Sequence, residues 1–275
     1  MSIQQIVEIL TNSGIEPREA TIEVKMLIEH FCNYTAMDIV MGRPLDYEKL
    51  KIVEEKAKLR AKTKMPIQYI IGQAFFMGDY YKVTKDVLIP RDETELVVTK
   101  AIDIINEYGL KSVLDIGSGS GCIACSLAKH GGVDVVSVDI SKNALEVAKE
   151  NAKRLNLKNV EFLESDLFKN IDKARIDRFD MIISNPPYIP TGTELQKEVT
   201  FEPELALFAE GDGTGFYKKI VENSSKYLKT NGFIIFELGI NQSEIVKSYF
   251  EKCGFKNISI EKDFAGIDRI IFAHL

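Results

Sequence analysis

The chain of 275 residues has no tryptophan, three histidines and four cysteines. The missing tryptophan excludes nothing by itself. Cys32, Cys122, Cys125 and Cys253 are too few and too scattered for a disulfide framework, and they fit a reducing compartment. His30, His130 and His274 stand far apart with no ligand-like spacing, so no metal is expected. No apolar run approaches the roughly 20 residues that span a bilayer, and Met1-Ser2-Ile3-Gln4-Gln5 has no basic stretch leading into an apolar one. A cytoplasmic location without membrane contact is the expectation. Positive charge is not in excess either. The net charge of -6 argues against a broad phosphate-tracking surface, and no direct nucleic-acid binding is expected. Internal repeats and low-complexity tracts are lacking.

The remainder is an ordinary globular composition, 45% hydrophobic and 28% charged, in a length that suits a large domain with a smaller companion. Residues 1–73 read as a helical bundle: Pro17 suits a helix start, and Ala20, Val24, Leu27, Ile28 and Phe31 recur at helical spacing. A further helix from Asp46 to Thr63 alternates Glu and Lys around Leu50, Val53, Ala57 and Leu59, and its charges read as a solvated face. Residues 74–90 read as a linking β-hairpin, with Phe75-Phe76-Met77 and Tyr80-Tyr81-Lys82-Val83 flanking Gly78-Asp79.

Over residues 91–275, Asp92, Glu93 and Glu95 suit the positive end of a helix carrying Leu96, Val97, Ala101 and Ile104. Strands over Ser112–Ile116, Val133–Val138, Val160–Leu163, Arg178–Ser184 and Gly232–Leu238 then alternate with helical stretches, which implies a parallel sheet covered on both faces. Phe255–Glu261 and Arg269–Ala273 are joined only by a short connection at Asp263-Phe264-Ala265-Gly266, which permits only an antiparallel pair. The expected α/β architecture resembles the seven-stranded, Rossmann-like S-adenosylmethionine-dependent methyltransferase fold.

Two motifs carry chemistry. Asp115-Ile116-Gly117-Ser118-Gly119-Ser120-Gly121 is a glycine loop at a strand-to-helix turn, whose third glycine comes one residue early for the dinucleotide spacing G-x-G-x-x-G. Such a loop lets the backbone approach a ligand closely, and the helix start favours a carboxylate, which S-adenosylmethionine has. Asp139, about 20 residues on, can accept from both ribose hydroxyls, as in dinucleotide folds as well. Asp166 can accept from an adenine amino group while Leu167 packs on the ring; its bland alternative is a turn cap. Asp115 could orient the loop or touch the methionine end. Cys122 and Cys125 form a C-x-x-C, but inside the helix after the loop they read as small apolar packing residues rather than redox groups.

The second motif, Asn185-Pro186-Pro187-Tyr188, ends the apolar run Phe179 to Ser184 at the carboxyl end of a strand, where ligands of open α/β sheets bind. The prolines fix the backbone and remove two donors, leaving carbonyls free to accept. The Asn185 side-chain oxygen and the Pro186 carbonyl can each take one hydrogen of a substrate NH2, with Tyr188 packing on the planar group. That suits methylation of a planar nitrogen. The alternative reading is a rigid turn.

With these motifs, the chain resembles the HemK/PrmC family of peptide-chain release factor glutamine methyltransferases over nearly its whole length. Further stretches carry the resemblance: Pro66-Ile67-Gln68-Tyr69-Ile70-Ile71-Gly72, Val87 to Glu95 around Pro90-Arg91, Phe201-Glu202-Pro203, and Ala265-Gly266-Ile267-Asp268-Arg269. Asp92 departs from the family's usual proline, and Phe208-Ala209-Glu210-Gly211-Asp212-Gly213 is a loose version of its usual motif. The resemblance implies methyl transfer to the glutamine amide nitrogen in the Gly-Gly-Gln loop of release factors. Gly117, Ser118, Gly119, Ser120, Gly121, Asp139, Asp166, Leu167 and Asn185 would hold the cofactor. Asn185, Pro186, Pro187 and Tyr188, joined by Pro90 and Arg91, would hold the substrate. The helical domain, which carries no catalytic motif, would dock a release factor as partner, and a monomer is expected. The competing expectation is an amino methyltransferase acting on adenine or guanine in nucleic acid, which would need base flipping.

Overall fold

The computed structural model describes residues 2–44, 46–174 and 178–275, which divide into two compact units. One comprises the chain up to Gln73 together with Leu195–Phe201; the other comprises Ala74–Glu194 and Glu202–Leu275.

The first unit is built from helices α1 (Ile3–Thr11), α2 (Pro17–Cys32), α3 (Ala36–Val40), α4 (Tyr47–Thr63) and α5 (Ile67–Ile71). Each long helix has a local start signal. Ser2 and Gln5 form a reciprocal capping box at α1, Pro17 occupies the first turn of α2, and the Asp46 side chain accepts from Glu48 N at the head of α4. Ile6, Leu10, Val24, Leu27, Ile28, Val53 and Ala57 close the core. Burying each of the larger ones stabilises the bundle by about 1.5–3 kcal/mol.

The charges of α4 are not all solvated. Arg60 is 3% exposed and pairs with Glu23 of α2 at 2.9 Å and with Glu198 at 3.2 Å. Arg60 lies three and seven residues beyond Ala57 and Val53, so helical period turns it onto their buried face. A guanidinium there needs carboxylate partners, and Glu198 comes from the distant segment Leu195–Phe201.

In the second unit, β1 (Gln73–Phe76) and β2 (Asp79–Lys82) form the hairpin, followed by α6 (Asp92–Tyr108). Asp92 is the exposed first residue of α6, where proline and a negative side chain are both favourable, so this departure fits the same local structure. Next come β3 (Ser112–Ile116), α7 (Cys122–Ser126), which continues as a π-helical turn over Leu127–Gly131, β4 (Asp134–Asp139), α8 (Lys142–Arg154), β5 (Val160–Glu164) and β6 (Phe179–Ser184). The short pieces β7 (Ile189–Pro190), α9 (Glu204–Leu207) and β8 (Phe208–Ala209) precede α10 (Gly215–Ser224), β9 (Leu228–Glu237), α11 (Ser243–Lys252), β10 (Lys256–Lys262) and β11 (Asp268–His274).

Seven strands form one sheet in the order β10-β11-β9-β6-β3-β4-β5. All neighbours are parallel except β11, which runs antiparallel to both β9 and β10. Successive side chains go to opposite faces. Val113, Val135 and Met181 join the core under α6 and α7, while Leu114, Val136 and Ile182 join the core under α10 and α11. With both faces covered, these strands read as apolar runs rather than alternations. No helix among the described residues is long and apolar enough to cross a membrane.

Candidate active site

The order of the sheet reverses beside β3, between β6 and β4, and the carboxyl ends of these strands open into a cavity of about 320 Å³. That is where open α/β sheets bind ligands, in a volume range usual for small-molecule sites. Every residue lining it belongs to the sheet unit.

The glycine loop follows β3. Its N–H groups at Gly117 and Ser118 donate to the Val138 carbonyl at 2.8 and 2.9 Å, which folds the loop back against β4. Gly117 and Gly119 have positive φ of 93° and 51°, and a Cβ built on Gly119 would meet nothing within 4 Å. Since Gly119 lines the cavity, a side chain there would take ligand space. Gly121 is needed for another reason. It does not line the cavity, and a Cβ on it would come within 2.9 Å of Ala148 Cβ, so its absence lets α8 pack against the loop. Ser118 Oγ lies 2.6 Å from Ser137 Oγ, whereas the buried Ser120 lines the cavity with its hydroxyl beside the Cys122 thiol.

Asp139 ends β4 with each oxygen holding one backbone donor, Gly119 N at 2.9 Å and Ser141 N at 2.8 Å. Burial pushes its carboxyl above the usual range, and those N–H bonds oppose the shift. Asp166 and Leu167 line the wall beyond β5. Asp166 pairs with exposed Lys169 at 2.5 Å, and Leu167 is held at φ 50°, a left-handed conformation that costs a branched residue energy and aims its side chain at the cavity wall. Asp115 is fully buried on β3 and absent from the lining. Its Oδ2 accepts from Ser137 Oγ at 2.6 Å while its Oδ1 has no partner, and burial pushes the carboxyl up to about 7.

The lining also includes Asn185, Pro186 and Pro187, after β6, with Pro90, Arg91 and Thr94. Asn185 Nδ2 donates to Thr94 Oγ1 at 3.2 Å, and Thr94 Oγ1 donates to Glu237 Oε2 at 2.5 Å. Among the described residues, nothing donates to the Asn185 side-chain oxygen or the Pro186 carbonyl. Tyr188 is not part of the lining; its hydroxyl donates to Glu237 Oε1 at 3.3 Å. Behind it, Gly213 has φ 85°, and any Cβ there would overlap the Tyr188 carbonyl oxygen. The loose stretch Phe208 to Gly213 thus keeps the one glycine that this contact requires, and β8 within it pairs with β7. Glu202 bonds Ile89 N at 3.0 Å and pairs with Arg91, anchoring the segment before α9 at the rim.

The cavity therefore brings together Gly117, Ser118, Gly119, Ser120, Asp139, Asp166, Leu167, Asn185, Pro186, Pro187, Pro90 and Arg91. Thr94 and Glu237 escaped the sequence reading. A signal existed for each. Thr94 is a polar residue three, four and seven positions before buried Val97, Val98 and Ala101, and Glu237 ends the apolar run Phe233 to Phe236. Cys122 and Cys125 are buried thiols, with Cys122 pushed up to about 12 by burial and Cys125 also raised, so neither is a ready thiolate. Among the described residues no group of three His, Cys, Asp or Glu side chains could hold a metal ion.

Comparison with known proteins bears on the fold and the family. A family model described as a methyltransferase domain matches residues 109–267. Among solved structures, the hMettl16 catalytic domain in complex with an RNA hairpin shares the fold, with a TM-score of 0.57 at 17% identity over 80% of each chain. The Thermus thermophilus 16S rRNA methyltransferase RsmC, solved with AdoMet and guanosine, shares it with a TM-score of 0.52 at 19% identity over 74% of this chain and 49% of that one. Sequence relatives are nearer. The release factor glutamine methyltransferase of Thermodesulfovibrio yellowstonii is 36% identical over 98% of this chain and 96% of its own length. That of Geobacter sulfurreducens is 38% identical over 95% of this chain and 91% of its own. With identity at this level over nearly the whole of each chain, the chain belongs to the release factor glutamine methyltransferase family.

Proposed function

We propose that this protein transfers a methyl group from S-adenosylmethionine to the side-chain amide nitrogen of the glutamine in the Gly-Gly-Gln loop of peptide chain release factors. One observation carries the reading: two acceptors to which no described residue donates, the Asn185 side-chain oxygen and the Pro186 carbonyl, belong to residues that line the cavity, while the Asn185 NH2 is engaged by Thr94. A primary amide has two hydrogens to give. Its lone pair is conjugated, so the nitrogen is a weak nucleophile. Acceptors for both hydrogens favour a more pyramidal nitrogen as positive charge develops, which stabilises the transition state more than the ground state. Alignment alone can contribute several kcal/mol, and no strong base is needed before attack.

The lining residues of the glycine loop and of the ends of β4 and β5 suit the cofactor, which when bound would supply an electrophilic methyl group on sulfur. Gly117 and Gly119 would admit it close to the backbone, and Ser120 has a cavity-lining hydroxyl to offer. Asp139 retains lone pairs for ribose hydroxyls, and Asp166 and Leu167 would meet the adenine. Tyr188 fixes the substrate wall through Glu237. Residues 1–73 would dock the release factor, the protein would act as a monomer, and the substrate implies a cytoplasmic location.

Tritium transfer from labelled cofactor into a purified release factor tests the reading. Asn185→Ala should lose about 2.7–4 kcal/mol of transition-state stabilisation, roughly a hundred- to a thousandfold in rate at saturating cofactor. Replacing the glutamine of the Gly-Gly-Gln loop should abolish incorporation. Label entering that variant, or entering oligonucleotides efficiently, would overturn the substrate assignment.

A further inference from the structure

We propose that Thr94 is a positioning residue that, held by Glu237, sets which way the Asn185 amide faces. The inference deepens the glutamine-amide reading and rests on it for its kinetic consequence. An asparagine side chain presents either an acceptor or a donor to the cavity, and nothing in its own rotamer preference separates the two faces of its amide. Only the acceptor face can take a hydrogen from a substrate NH2.

The selection comes from the chain of bonds behind it. A carboxylate can only accept. Glu237 is 1% exposed and receives the Thr94 hydroxyl on one oxygen and the Tyr188 hydroxyl on the other. Burial pushes the Glu237 carboxyl up, while the two hydroxyl donors and the Arg269 charge nearby favour its ionised form. Thr94 is itself 3% exposed, so its single hydroxyl hydrogen, once given to Glu237, is not available to Asn185. Its oxygen can then only accept. The Asn185 NH2 must turn to it, as the 3.2 Å bond shows, and the side-chain oxygen is left for the substrate. The three residues come from the end of β6, the first turn of α6 and the end of β9, so the sheet order that places β9 beside β6 assembles the relay.

Thr94→Val keeps the shape and removes the acceptor, whereas Thr94→Ser keeps the hydroxyl. The valine variant should lose on the order of tenfold or more in kcat, the scale of a misplaced reacting group, with KM for the release factor and cofactor affinity little changed. Serine should restore most of the rate. In an Asn185→Ala background the valine change should have no further effect on kcat, because a residue acting only through Asn185 has nothing left to position. A second readout needs no activity: the Asn185 side-chain NH2 resonances, assigned by their loss in Asn185→Ala, should be slow to exchange in the wild type and in Thr94→Ser and fast in Thr94→Val. Unchanged exchange in Thr94→Val, or equal rate losses with and without Asn185, would overturn the inference. A wild-type enzyme with no transfer to the release factor would instead remove the substrate reading, and the NH2 resonances would still decide whether Thr94 orients the amide.

Discussion

At the scale of single residues, the site depends on groups that the fold holds at some energetic cost. Asp115 is the clearest. Its carboxyl is pushed up to about 7 in the folded chain from an ordinary 3.8, because burial disfavours the charged form. The folded protein therefore binds the proton more tightly than the unfolded chain, and stability should fall as pH rises from about 4 to about 7, then level off. Asp115→Asn should remove that slope, a difference on the order of a few kcal/mol above pH 7, measured by denaturant unfolding across the range without added cofactor. Burial pushes the Asp139 carboxyl up as well, but this side chain is already oriented by backbone donors and faces the cavity. Asp139→Ala should weaken cofactor binding by about 1.5–3 kcal/mol in calorimetry. Unchanged affinity would remove Asp139 from the site.

At the scale of elements, glycine spacing and apolar runs made the strands and the loop legible, because a strand buried on both faces has to be apolar and a tight turn has to accept positive φ. The roles of the three loop glycines were not legible. Gly117 and Gly119 border the cavity, whereas Gly121 serves the approach of α8. Gly121→Ala should destabilise by about 1–3 kcal/mol, the usual cost of overpacking, with some effect on cofactor affinity through the loop. Circular dichroism melts of this variant beside Gly119→Ala would separate the two roles, since the latter should depress binding more than stability. Thr94 and Glu237 stayed hidden because they meet Asn185 only through sheet order, which one-dimensional periodicity does not contain. Arg60 was masked by company: among so many Lys and Glu residues of α4, one charge on the Val53 and Ala57 face looked like the rest.

At the scale of the whole molecule, the resemblance in sequence reached the family, while the division of the chain did not follow a single cut. Arg60→Ala should leave Glu23 buried without its partner and destabilise the helical unit by about 3–5 kcal/mol, lowering its melting transition. Loss of Glu198, the more exposed partner, should cost much less. Removing residues 1–73 should spare cofactor binding and sharply reduce methylation of an intact release factor, because remote contacts supply binding energy used for orientation. Equal turnover by the shortened enzyme would rule out a docking role.

Because Leu195–Phe201 clusters with the helices, the first unit is assembled from two separate stretches of sequence. A graft that borrows residues 1–73 from a relative would leave this heptapeptide behind, and an arginine at position 60 would then keep only its partner within the bundle, Glu23. Exchange of parts between family members should therefore cost the helical unit less stability when Leu195–Phe201 moves with residues 1–73 than when the chain is spliced at residue 73 alone.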